Sequence, residues 1–479
     1  MWDPTPDQDA AIAVGELLRD IGYDEEAIEE RLGEDGIAAE GSEALVHALR
    51  LDEDELGDAI RLLLLARPVA RSSFEAAEEL VQLGLATIDG ELLVPRARIV
   101  PTENVYLTFD TFSDGENDPP GWVASFTPTA YWLASLTLRR HVARAVDIGT
   151  GNGVHALLAA RHADHVVATD VNPRALRFTE ISAALNGFDN VETRLGSLFE
   201  PVAGEAFDLI TCNAPFVISP QARWQYRDAG YPGDEFSRLV VTTAAAHLAD
   251  DGFASVNVSW LAASEDDPDE HVHEWLDGNG CDAWILNLTG SDPVDHAAGW
   301  NDHLADDPAA FAAAIDEWTT YFDGLGAGWI SEGSVVMHKR AGARHIVRAD
   351  SVDEEELEFA SDQIERVFRA LAAIARDGDA VLDGRLRLVE DTRFDQELDR
   401  TGAVTSTLLV LDEGTCSDWE LSVDEADVLV ALDGATTLDQ AVARVARRED
   451  LSKHETAELR REVRDLARDL LETGALELA

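Results

Sequence analysis

Apolar and polar positions fall into three regimes along the chain. Up to about residue 100 the spacing is helical. Segments 10–21, 25–32, 42–51, 54–66 and 74–83 each place apolar side chains three or four positions apart. Two short apolar runs follow within 85–94, split by Asp89-Gly90, a hairpin signal. Helices followed by a hairpin predict a winged-helix-like module over 1–100, either a recognition element or a lid on the next domain. Residues 101–120 read as a connector, with a loop by composition at 114–120.

The second regime, 101–349, alternates short apolar runs with helical patterns. Strands are expected at 144–150, 165–170, 190–195, 207–212 and 252–260, and helices at 154–163, 173–186, 235–249 and 269–278. That alternation predicts an α/β fold with a doubly wound parallel sheet, completed by runs at 283–288 and 334–340. Ligands of such sheets lie at the carboxyl ends of the strands. An aromatic insertion at about 296–330 carries Trp300, His303, Trp318, Tyr321, Phe322 and Trp329, and is helical over 310–322. It reads as a substrate-side cap or as core filler. The third regime, 350–479, predicts a helix at 354–375 and strands at 384–390, 405–411 and 419–421. Three further helical patterns and a terminal strand make its end winged-helix-like. Its arginines (Arg444, Arg447, Arg448, Arg460, Arg461, Arg464) alternate with acids, which favours an ion-paired, solvated face.

Charge alters this picture in one respect. Lys and Arg number 37 against 94 Asp and Glu, a net charge of −57, and only Lys339 and Lys453 are lysines. Salt screens such a surface, so the composition suits the acidic proteome of a high-salt cytosol; an acidic bacterial protein is the plainer alternative. The field disfavours nucleic acid at low ionic strength. Cys212, Cys281 and Cys416 suggest neither a disulfide framework nor a zinc site. His271-x-His273 puts two imidazoles on different helix faces, so no metal is expected. With no signal-peptide pattern and no apolar run long enough for a bilayer, a soluble cytoplasmic protein is expected.

Three pieces at predicted strand ends carry the candidate chemistry. Val146-Asp147-Ile148-Gly149-Thr150-Gly151-Asn152-Gly153 is a strand, a tight turn and a helix start. Glycine suits a turn that needs positive φ and close approach of backbone to ligand. The helix start offers N–H groups to an anion. Asp170 ends the second run, where an acid accepts both hydroxyls of a ribose. The turn alone is an ordinary strand-to-helix connection; with Asp170 it points to an adenosine-containing cofactor. The fourth run ends in Asn213-Ala214-Pro215-Phe216.

Over roughly 126–260 these pieces resemble the class I S-adenosylmethionine-dependent methyltransferases. More narrowly they resemble the amino-methylating branch, with its Asn/Asp-Pro-Pro-Phe/Tyr motif after the fourth strand. That branch includes release-factor glutamine methyltransferases, small-domain ribosomal RNA guanine methyltransferases and adenine N6-methyltransferases. The resemblance implies a Rossmann-like core that holds S-adenosyl-L-methionine through Gly149, Thr150, Gly151, Gly153 and Asp170, with Asp147 supporting its amino-acid end. Thr127 and Pro128, in the Phe126-Thr127-Pro128-Thr129 segment, would cover the methionine end, although Pro here also suits a plain helix cap. Asn213 Oδ1 and the Ala214 carbonyl would accept the two N–H groups of the target, with Pro215 next and Phe216 stacking on its plane. Two aligned acceptors localise a lone pair that an amide or aryl amine otherwise delocalises, so no strong base is required. The sequence departs from the motif at Ala214, which replaces a Pro. At Gly196-Ser197-Leu198-Phe199 the family often has an Asp on the adenine amine, which leaves Ser197 and nearby backbone as the contact.

The expected function is therefore N-methylation of a planar amide or amino nitrogen. Two appended domains favour a macromolecular acceptor, and the acidity favours protein glutamine. A nucleobase amine in RNA or DNA is the alternative, as is a non-catalytic cofactor-binding module. A nicotinamide dehydrogenase shares the glycine turn and acid but has no use for Asn-Ala-Pro-Phe. The long loop 217–233, with Arg223, Trp224, Tyr226, Arg227, Asp228 and Tyr231, reads as a substrate lip or as a self-packed loop.

Overall fold

The apolar runs at the centre of the chain pair into one eight-stranded sheet. Its strands are β1 (Val142–Ile148), β2 (Ala163–Asp170), β3 (Val191–Leu195), β4 (Phe207–Cys212), β5 (Leu248–Ala262), β6 (Cys281–Ser291), β7 (Trp329–Lys339) and β8 (Val347–Ser351). The order across the sheet is β3-β2-β1-β4-β5-β7-β6-β8. The computed structural model describes residues 2–479 apart from 34–40, 112–120, 222–229, 270, 343 and 403.

The sheet is mixed rather than wholly parallel. Strand β7 runs antiparallel to both β5 and β6, while the other pairings are parallel. The connection explains the reversal. The chain leaves β6 at the carboxyl edge, forms the aromatic insertion there, and re-enters at that same edge, so β7 must run back.

The longer helices of the core are α1 (Pro128–Ser135), α2 (Val154–Ala160), α3 (Pro173–Leu185), α4 (Glu235–His247), α5 (Pro293–Trp300), α6 (Pro308–Leu325) and α7 (Ser361–Asp377), and a short helix, Val272–Leu276, packs beside α4. Proline at the first turn and a polar cap start four of them: Thr127 before Pro128, Asn172 before Pro173, Asp292 before Pro293 and Asp307 before Pro308. Alternate residues of each strand face opposite layers. Val146, Ile210 and Val256 pack with Val240, Val241 and Ala244 of α4. Ala145, Leu209 and Phe253 face Trp132, Ala156 and the Ile364 and Phe368 side chains of α7. Packing therefore carries the core past residue 350, through β8 and α7.

The insertion builds a satellite core from Ala297, Trp318, Phe322 and Ile330 around Ile218, two residues beyond the Asn-Ala-Pro-Phe turn. Its buried aromatics are thus core filler. Loop residues Arg223, Trp224, Tyr226, Arg227 and Asp228 lie outside the described residues, as does the 114–120 loop.

The N-terminal helices and hairpin form as expected. Ala86–Asp89 pairs with Leu92–Pro95 around Gly90, whose φ is 58°. The connector reading of 101–120 is corrected at its start. Ala97–Thr102 and Val105–Asp110 form an antiparallel ribbon, and all twelve of its residues are buried. The ribbon lies on α3, where the Thr108 amide bonds to Ser182 Oγ at 2.9 Å and the Tyr106 amide to Asn186 Oδ1 at 2.9 Å. A first helix, Gln8–Asp20, crosses the end of α3 closely enough that a Cβ at Gly15 would fall 2.1 Å from the Leu185 carbonyl oxygen.

In the C-terminal region, Arg385–Leu388 pairs with Asp433–Thr437 and Leu476–Leu478, and a second antiparallel sheet joins Thr392–Leu398, Val404–Leu411 and Asp418–Leu421. Arg348 of β8 reaches Asp469 and Glu472, both at 3.1 Å, and ties this region to the core. Arg448, Arg460 and Arg464 pair with Asp427, Asp439 and Asp383, as the interleaved charges predict. Among the described residues no helix is long and apolar enough to cross a membrane.

The docking of the N-terminal module rests on a buried ion pair. Arg174 of α3 is 3% exposed, with Nε 2.9 Å from Asp110 Oδ2 and its guanidinium 4.2 Å from the Trp2 ring centroid. Removing one partner of such a pair strands the other charge, which costs about 3–5 kcal/mol. Asp110→Ala is therefore expected to lower stability by about that amount in urea melts at fixed high salt. A loss below about 1 kcal/mol would show that Asp3, 3.8 Å from Arg174, substitutes for it.

Candidate active site

The glycine turn leaves β1 at the centre of the sheet and is anchored from beneath. Asp147 is 1% exposed and accepts from Thr150 Oγ1 at 2.6 Å and from Thr211 Oγ1 at 2.8 Å. Its carboxylate thus joins β1, the turn and β4. Burial pushes its pKa up to about 6, and the two hydroxyls only partly offset that. Gly149, Gly151 and Gly153 have φ of 70°, 57° and 90°. At Gly153 a Cβ would lie 2.9 Å from the Thr179 side chain, whereas at Gly151 it would meet nothing within 4 Å. The turn is closed on its helix side and open above Gly151.

Asp170, half-buried at the tip of β2, borders that opening. Its Oδ2 accepts from the Gly151 amide at 2.9 Å and its Oδ1 from the Asn172 amide at 2.8 Å. A carboxylate offers about four acceptor positions, so two stay available for hydroxyls. Burial raises its pKa and these amides oppose the rise. Ser197 is exposed, and the Gly196 amide bonds to the Asp170 carbonyl at 3.0 Å, which brings this loop beside β2. Open backbone, spare carboxylate acceptors and a flanking hydroxyl fit an adenosine cofactor. Thr127 caps α1, its Oγ1 accepting from the Ala130 amide at 3.3 Å. The preceding backbone is tied over the turn, with Asn152 Nδ2 donating to the Ala124 carbonyl at 3.1 Å and Asn172 Nδ2 to the Gly121 carbonyl at 3.0 Å.

The Asn-Ala-Pro-Phe turn leaves β4 beside the glycine turn; a Cβ at Gly149 would sit 3.4 Å from that of Ala214. Asn213 Oδ1 accepts from Asn257 Nδ2 of β5 at 3.0 Å. Asn257 Nδ2 also donates to the Thr129 carbonyl at 2.6 Å, and its Oδ1 accepts from Ser334 Oγ of β7 at 2.6 Å. Both ends of the Asn257 amide are committed, so it can offer Asn213 only a donor. Asn213 must answer with its oxygen, which leaves one lone pair for another N–H. Phe216 is 8% exposed, and its carbonyl accepts from Ser259 Oγ. Its ring is therefore largely covered.

Asn257, Ser334, Thr211 and Ser259 are absent from the expected site. Ser255, Asn257 and Ser259 alternate with apolar residues along β5, which places them on one face, and Thr211 and Ser334 sit among further polar residues of β4 and β7; the spacing alone does not say which of them meets the site. Cys212 is no nucleophile, since burial raises its thiol pKa to about 12. His271 bonds to Asp234 Oδ2 at 2.6 Å.

Asp147 generates a pH prediction. Its folded pKa of about 6 exceeds the ordinary 3.8, so the fold favours its neutral form. That contribution is full below about 3.8 and is lost as pH rises through about 6. Relative to Asp147→Asn, the natural protein is expected to gain on the order of 3 kcal/mol between pH 7 and pH 4. Paired urea melts at constant salt measure this, and a difference that stays flat with pH contradicts it.

Comparison with known proteins agrees with this geometry. A family model described as a methyltransferase domain matches residues 141–271. Over 236 residues the chain is 31% identical to the release factor glutamine methyltransferase of Cereibacter sphaeroides, covering 46% of this chain and 77% of that relative. The relative from Geobacter sulfurreducens bearing the same name is 34% identical over 142 residues, 26% of this chain and 49% of its own. The ribosomal protein uL3 glutamine methyltransferase of Bradyrhizobium diazoefficiens is 32% identical over 124 residues, 23% of this chain and 39% of its own. The chain spans about half the length of several curated relatives bearing the release factor name. With the strand order, the glycine turn, Asp170 and the Asn213 turn in place, the chain belongs to the class I S-adenosylmethionine-dependent methyltransferases, in the family that includes these glutamine methyltransferases.

Proposed function

We propose that the protein methylates the side-chain amide nitrogen of a protein glutamine, using S-adenosyl-L-methionine. The observation that carries this reading is the fixed orientation of Asn213, whose Oδ1 accepts from Asn257 Nδ2, an amide held in turn by the Thr129 carbonyl and by Ser334. When bound, the cofactor supplies an electrophilic methyl group on a sulfonium. Gly149, Thr150, Gly151, Gly153 and Asp170 would hold it, with Thr127, Pro128 and Ser197 at its margins and Asp147 fixing the turn from below.

Asn213 Oδ1 and the Ala214 carbonyl accept the two N–H groups of the target amide. Two acceptors in the amide plane fix the nitrogen and weaken its conjugation with the carbonyl, so its lone pair projects from that plane. Both acceptors are neutral, so the proton released on transfer leaves to water. Pro215 stiffens the turn, and Phe216 buttresses it unless the acceptor displaces its surroundings. A net charge of −57 supports a protein acceptor over a nucleic acid. The flanking modules, which we read as winged-helix-like, would recognise the acceptor macromolecule in the cytoplasm.

The test is transfer from radiolabelled S-adenosylmethionine to a lysate of cells lacking the gene, at high salt. Label that survives nuclease but not protease is expected, and acid hydrolysis should release it as methylamine. Label lost to nuclease would move the acceptor to RNA or DNA. Asn213→Ala should lower kcat by about 10²–10³, as loss of an oriented hydrogen-bonding group at a reacting centre does. For Asn257→Ala, a positioning residue, about 10–100-fold in kcat is expected with cofactor affinity unchanged by calorimetry. Equal loss of cofactor affinity would make its role structural.

A further inference from the structure

A cavity of about 300 Å³ opens on the same edge of the sheet, between β6, β7 and α5. Thr289, Ser291, Asp295, His296, Trp300 and Glu332 line it, and among its described lining residues there is no lysine or arginine. Two contacts join it to the candidate active site. Glu332 stands opposite Ser259 in the β5–β7 ladder, and Ser259 holds the Phe216 carbonyl. On the other wall His296 Nε2 lies 3.3 Å from the Ile218 carbonyl.

The Glu332 side chain is only 12% exposed. Trp300 hydrogen-bonds to its carboxyl, yet its buried Oε1 has no hydrogen-bond partner among the described residues. His296 Nδ1 is 3.8 Å from Oε1, close enough to pair with it when the imidazole is charged but beyond hydrogen-bond reach. Native folds seldom leave a buried acceptor unanswered, and such groups concentrate where a ligand completes the bond. A second carboxylate, Asp295, stands at the exposed rim, two hydroxyls add acceptors, and the Trp300 indole lines the wall. Two carboxylates disfavour an anion, and an apolar guest would leave Glu332 Oε1 without a hydrogen bond. A guanidinium or ammonium group donates to the open carboxyl oxygen and matches its charge. The volume, at the lower end for small-molecule sites, suits one long side chain.

We propose that this cavity is an acceptor subsite for a cationic side chain, an arginine or lysine near the methylated glutamine, with Glu332 as its counter-ion. The acceptor assignment rests on the glutamine reading; the cation site does not. Burial lifts the Glu332 pKa to about 7. An arriving cation should therefore expel a proton from the fraction that is neutral.

Calorimetric titration with Nα-acetyl-argininamide, at high salt near pH 7 and in two buffers of different ionisation enthalpy, tests the site. Saturable binding with proton release is expected. Binding should be at least tenfold weaker in Glu332→Gln, less affected in Asp295→Asn, and absent with Nα-acetyl-norleucinamide. Thermal melts of the near-isosteric Glu332→Gln protein check that it folds. No saturable binding, or equal binding by the natural protein and Glu332→Gln, overturns the site. Glutamine peptides carrying arginine or norleucine beside the glutamine then test its role. An arginine preference of at least tenfold in kcat/KM, lost in Glu332→Gln, supports the subsite. Methylation of both peptides alike overturns the subsite and leaves the glutamine reading standing. Arginine binding through Glu332 with no glutamine peptide methylated keeps the cation site and overturns the glutamine reading.

Discussion

One buried carboxylate holds the working edge of this protein together. Asp147 bonds to Thr150 in the glycine turn and to Thr211, 64 positions away in β4. Burying a carboxylate is unfavourable unless hydrogen bonds answer it, and two hydroxyls do so in part here. The bonds set the height of the glycine turn relative to the Asn213 turn. Side chains that must cooperate across β1 and β4 are thereby placed without contacting each other. Such a network is rigid when complete and costly when broken.

A second constraint acts sideways along the edge. Asn213 carries an amide that presents either an oxygen or an NH₂ group, and the two have opposite chemistry toward an amine. Asn257 removes the ambiguity because its own amide is committed to Thr129 and Ser334. Ser334 is available only because β7 runs antiparallel beside β5, so its N-terminal half meets the carboxyl ends of the parallel strands. The aromatic insertion that forces this reversal also roofs the edge and encloses the Glu332 cavity. Strand direction, amide orientation and cavity thus share one topological cause.

The flanking regions are bound to the core rather than tethered to it. The N-terminal module grips α3, which begins just after Asp170, through Gly15, the buried ribbon and the Arg174–Asp110 pair. The C-terminal region meets β8 through Arg348. Many arginines in this acidic chain are taken up by such pairs, which leaves a strongly negative surface that salt screens.

The sequence by itself determined the αβ alternation, the glycine turn, Asp170, the Asn213 turn and the Asp89-Gly90 hairpin. Each is written locally, by apolar runs that must be buried and by residues that the backbone or the chemistry requires in place. It also exposed the departures at Ala214 and Ser197. Only the tertiary structure decided the direction of β7, the 97–110 ribbon, the passage of the core beyond residue 350, and the parts played by Thr211, Asn257, Ser259, Ser334 and Glu332. The reason is physical. Strand direction depends on where a connection re-enters the sheet, and a polar residue within a strand gains its role from partners dozens of positions away. Spacing along the chain records neither.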